Sequence, residues 1–94
     1  MSEKYFLEKI HAFTQSNTKD DSDVAHIQAC IEGLIHFFDT ELALSNDPTL
    51  IAKLMHTIMI AKEFDEYLDG ASHQKDKMVA YYAILECQYR HVTH

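Results

Sequence analysis

Glycine and proline are scarce in this chain, with two glycines and one proline in 94 residues. Strand-rich folds are punctuated by turns built from those residues, so their scarcity favours a few long helices over many short strands. Cysteine is also sparse. Cys30 and Cys87 are too few for a disulfide framework and are expected to be reduced thiols in a cytoplasmic protein. No long apolar run occurs. The most apolar stretch, LIAKLMHTIMIA at 50–61, is interrupted by Lys53 and His56 and falls well short of the roughly 20 residues that span a bilayer. The opening MSEKYFLEKI has neither the apolar centre nor the small-residue cleavage site of a signal peptide.

Positive charge is the last shortage. Eight Lys/Arg stand against fifteen Asp/Glu, for a formal net charge of −7. Such a chain repels phosphate backbones and anionic lipid headgroups, so direct binding to nucleic acid or to a membrane is not expected. A protein partner with a basic surface is the class that this charge favours. The carboxylates are also unevenly spread. From Asp20 to Ala52 there is no Lys or Arg, while EFDEYLD at 63–69 adds four carboxylates and no base. A solvated, solubilising face explains part of this. Mimicry of DNA would need a denser, two-row array.

What remains is an ordinary globular composition, 47% hydrophobic, in a chain long enough for one small domain that buries about 60–65% of its unfolded surface. Hydrophobic periodicity marks four helices, about 2–14, 22–44, 48–69 and 72–92, in a single all-α, up-down bundle with one short helix and three long ones. The core stripes are Phe6, Leu7, Ile10 and Phe13, then Val24, Ile27, Ile31, Leu34, Ile35, Phe38 and Leu42. Ser2 and Ser22 are the expected starts of the first two helices. SNDP at 45–48 is the sharpest local signal, with Asp47 as N-cap and Pro48 at the first helical position. Gly70 is expected to stop the third helix in a left-handed conformation, and Ser72 to open the fourth.

The third helix carries more apolar surface than one stripe uses. Leu50, Leu54, Ile58, Ala61 and Leu68 form its main face, while Met55, Met59, Ile60 and Tyr67 lie off it. The fourth behaves alike, with Met78, Tyr82, Leu85, Tyr89 and Val92 on one face and Ala80, Ala83, Ile84 and Cys87 on another. The surplus fits either packing on two sides within the monomer or a second buried surface, in a homodimer or with another protein. Tyr81, Tyr82 and Tyr89 suit a surface that is apolar in a complex and wet outside it.

Seven histidines make metal binding worth weighing. His26 and Cys30, and then Cys87 and His91, are paired at i, i+4, a spacing that lets two ligands reach one zinc-like ion. Up-down order puts the two pairs at opposite poles, so each needs partners from its own: His11, Asp65, Asp69 or His73 for the first pair, His56 and Glu41 for the second. Buried, inert cysteines explain the same pattern. The two inward Glu-x-x-His motifs of a carboxylate-bridged di-metal bundle are not present. Protonation of all seven histidines would cancel the formal charge, so association sensitive to mild acid is a further reading.

Asp65 is out of place on the apolar face between Ala61 and Leu68, and reads as a buried polar anchor. Glu32, His36 and Asp39 point away from the core. There is no phosphate loop, nucleophile elbow or HExxH, and a mid-helix cysteine is badly placed for attack. The expectation is a non-enzymatic protein-binding module of the inhibitor, immunity, anti-defence or chaperone-like adaptor type, with no cofactor. Its contacts would run through Glu32, His36 and Asp39 or through Tyr81, Tyr82 and Tyr89. The alternative is a bundle with a His/Cys metal site at one pole.

Overall fold

The computed structural model describes residues 3–16, 20–70 and 72–93. It is an all-α bundle of α1 (Glu3–Gln15), α2 (Asp21–Leu44), α3 (Pro48–Asp69) and α4 (Lys75–Thr93), with no strand among the described residues. Each helix packs on two others in the ring α1–α2–α3–α4–α1. Short connections make consecutive neighbours antiparallel.

Local chemistry sets the helix starts. Asp20, two residues before the expected Ser22, caps α2. Its Oδ1 accepts from the Asp23 N–H at 2.8 Å, and the Asp20 N–H donates to Asp23 Oδ2 at 3.4 Å, closing a capping box. An aspartate out-competes serine here because its full charge also meets the positive end of the helix dipole. Ser2, the expected start of α1, lies outside the described residues. Asp47 and Pro48 start α3 as expected, with Asp47 Oδ1 accepting from the Thr49 N–H at 3.0 Å.

The α3–α4 connection differs from expectation. Gly70 is extended (φ −76°, ψ 171°), and no described residue has positive φ. The left-handed stop is unnecessary because side chains bind the free groups. The His73 ring bonds the Leu68 carbonyl at 2.9 Å, in the tautomer with Nε2–H as donor, and the Gln74 N–H donates to the Tyr67 hydroxyl at 2.6 Å. His73 and Gln74 are spent on these contacts, so α4 begins at Lys75 and not at Ser72.

The core runs through all four helices. Ile10, Ile31, Leu34, Phe38, Leu54, Phe64, Met78 and Leu85 are fully enclosed, and the expected Val24, Ile35, Leu42 and Val92 pack around them half-buried. Phe64, off the expected α3 stripe, is one of the largest buried side chains. Phe6 lies over Gly33, where a Cβ would come within 2.5 Å of its ring.

Candidate protein-interaction surface

Helix α2 carries five carboxylates and no Lys or Arg. Its inner side is committed to the core, so its charge is left outside. Glu32, His36 and Asp39 are all exposed, as their angular positions imply. Among the described residues the structure shows one side-chain ion pair, Arg90 with Glu86 at 2.7 Å, and it lies on α4, away from these carboxylates. The last turns of α2 and α3 contain no basic residue. Asp69 closes α3 at the negative end of its dipole, where a cation would be favoured.

The α2/α3 seam joins that acidic side. Gln28 Nε2 donates to the Asp65 backbone carbonyl at 3.2 Å and to Asp69 Oδ1 at 2.7 Å. Asp65 is half-buried, so the polar tie between the helices is Gln28 with Asp69 and the α3 backbone. Burial pushes the Asp65 carboxyl above its ordinary range, Glu32 and Asp69 push it further, and Gln28 opposes them. Glu32 on α2 and Asp65 and Asp69 on α3 thus form one field of like charge.

The tyrosines of α4 serve the bundle itself. Tyr81 stacks on Phe64 with ring centres 5.1 Å apart and tilts against Tyr67 at 5.8 Å. Tyr82 stacks on His11 at 4.9 Å, and Tyr89 leans on Phe37 at 5.6 Å. All three are half-buried against the core. Burial raises the Tyr82 phenol, Glu86 and Glu8 add to the shift, and Arg90 opposes it.

The metal-ligand candidates are dispersed. Cys30 is buried with its thiol pushed up by desolvation, Lys9 opposing, whereas His26 is exposed. Cys87 and His91 are both exposed on α4. His11 is held in its stack with Tyr82. The one Glu-x-x-His of the chain, Glu8 with His11, lies exposed on α1. Among the described residues no three His, Cys, Asp or Glu side chains are grouped to hold an ion. No described helix is long and apolar enough to cross a membrane.

A second surface lies between α3 and α4. A shallow groove of about 500 Å³ is lined by Ala52, Lys53, His56 and Thr57 on α3 and by Ala83, Ile84, Cys87 and Gln88 on α4. Thr57 turns its hydroxyl to the Lys53 carbonyl at 2.8 Å, leaving methyls and methylenes to face the groove. Gln88 is buried, and its Nε2 has no hydrogen-bond partner. Among the large apolar side chains of these two helices, Met59 is 57% exposed and Ile84, in the groove wall, is 38% exposed, while Met55, 58% exposed, turns towards the α2 side of α3. Sequence reasoning found the surplus apolar residues here but missed Gln28 and Gln88. The only available signal was a glutamine beside each apolar stripe.

Comparison with models of protein families, with curated proteins and with solved structures gave no match.

Proposed function

We propose that this chain is a non-enzymatic protein-binding module that meets a basic partner surface through the outward side of α2 and its seam with α3. The observation that carries the reading is the run of exposed, unneutralised carboxylates there, continued across the seam by a half-buried Asp65 whose carboxyl is pushed above its ordinary range by burial and then by its acidic neighbours. A surface that keeps like charges together sacrifices some stability and gains attraction for a cationic partner, mostly in association rate. Roles as inhibitor, immunity or anti-defence factor, or chaperone-like adaptor all use such a contact. The described residues offer no grouped ligands that would favour a metal centre instead.

Affinity capture from the host cell, with the wild-type chain and Glu32→Lys/Asp39→Lys side by side, tests the reading. The expected result is a basic protein retained by the wild type, lost to the variant and released as salt rises. Identical capture by both would reduce the acidic side to a solvated surface.

A further inference from the structure

We propose that the outer side of α3 and α4 is the contact surface for a second copy of this chain, in a two-fold symmetric dimer. Met59 and Ile84 keep much of their surface in water at a groove lined by Ala52, Ala83, Ile84 and the stems of longer side chains. Gln88 at the groove keeps a buried, unpaired amide nitrogen. Isolated surface hydrophobes are common, but a contiguous set beside an apolar groove marks a contact site.

Charge selects the occupant. Almost the whole net charge of the chain resides on α2 and its cap, whereas α3 and α4 together carry five Lys/Arg and six Asp/Glu. In the ring of helices α1 and α2 lie on the side away from α3 and α4. A dimer through α3 and α4 therefore brings together the two nearly neutral sides and holds the two α2 helices apart. The order of charge along α3 is also self-complementary. Lys53 lies towards its start and Glu63 towards its end, both exposed, with Met55, His56 and Met59 between them. An antiparallel two-fold centred near residue 58 sets Lys53 of each copy level with Glu63 of the other, while Met59 of each copy lies near the middle. That arrangement meets the demand of an isologous interface, in which one patch must complement itself. The bundle measures 42 × 23 × 17 Å, so one long side supplies about the 800 Å² that each partner gives to a standard interface. Thioether side chains adapt well to such a contact.

This surface is separate from the acidic side of α2, and the two readings fail independently. Sedimentation velocity across a range of concentrations from low micromolar upwards should show a reversible monomer–dimer equilibrium. Met59→Glu/Ile84→Glu should leave a monomer with unchanged helical circular dichroism. Lys53→Glu and Glu63→Lys should each weaken the dimer about tenfold, since symmetry counts each charge pair twice, and the two together should restore it. Alkylation of exposed Cys87 in the wild-type chain should slow as the dimer forms, with buried Cys30 unreactive throughout. A wild type that stays monomeric overturns the proposal, as does a dimer indifferent to Met59→Glu/Ile84→Glu.

Discussion

Helix α3 has two seams, and each contains one glutamine. At the α2/α3 seam Gln28 spends its amide on the Asp65 carbonyl and the Asp69 carboxylate. At the α3/α4 seam the Gln88 amide nitrogen is buried and bonds to nothing. The first seam is polar, acidic and satisfied by bonds within the chain. The second is aromatic towards the α3–α4 turn, where Tyr81 stacks on Phe64, and open and apolar towards the other end. One core supports both, so the difference belongs to their outer edges. An acidic edge attracts at a distance and is weakened by salt; an apolar edge acts only once water has left it.

The largest test of this contrast strikes the interior shared by both seams. Phe64→Ala removes a fully buried ring and the stacking surface of Tyr81, and should lower stability by about 3–5 kcal/mol in urea unfolding. A loss below 1 kcal/mol would mean that the two seams do not share one core. Next in size is Gln28→Ala, which removes a bond to a charged group at a half-exposed position and should cost about 1–2 kcal/mol. Gln88→Met, measured at a concentration that keeps the chain monomeric, should move the other way. It replaces an unpaired buried amide by a thioether of similar shape and should gain about 1 kcal/mol. If both glutamine variants shift the urea midpoint in the same direction, the contrast between the seams fails.

The smallest effect carries a pH signature. Asp65 is held above its ordinary value of 3.8, so the folded chain retains that proton to higher pH than the unfolded chain. The ionised carboxylate therefore subtracts stability at neutral pH, and the loss is relieved as pH falls through the folded value. Asp65→Asn should accordingly stabilise by under about 1 kcal/mol at pH 7, with the gain shrinking towards about pH 4. A gain that does not change with pH would show that neither burial of the ionised carboxylate nor like-charge repulsion is its source.

The architecture was legible from sequence because helical periodicity is a strong signal over segments this long. The capping chemistry of Asp47 and Pro48 is equally local, and both residues sit where expected. Sequence reading went astray where the outcome depends on distant groups. Gly70 needs no left-handed turn because His73 and Tyr67 supply bonds that no local rule anticipates. Periodicity also reports only an angle around one helix. It separates Glu32, His36 and Asp39 from the core, but it cannot say that Tyr81 will find Phe64 or that Tyr82 will find His11. Gln28 and Gln88 look alike in sequence, and only the neighbouring helix decides which is satisfied.

Phe6 over Gly33 has a consequence for motion. Helix α1 has 13 residues beside the 24 of α2, and the Phe6 ring rests where it does because position 33 has no side chain to displace it. As the shortest helix, α1 is expected to be an early unit to detach in partial opening, and its amide protons should exchange with solvent ahead of those in α2 and α3. The outward side of α2 and its seam with α3, the most extensive helix pair, would then belong to the part that stays closed.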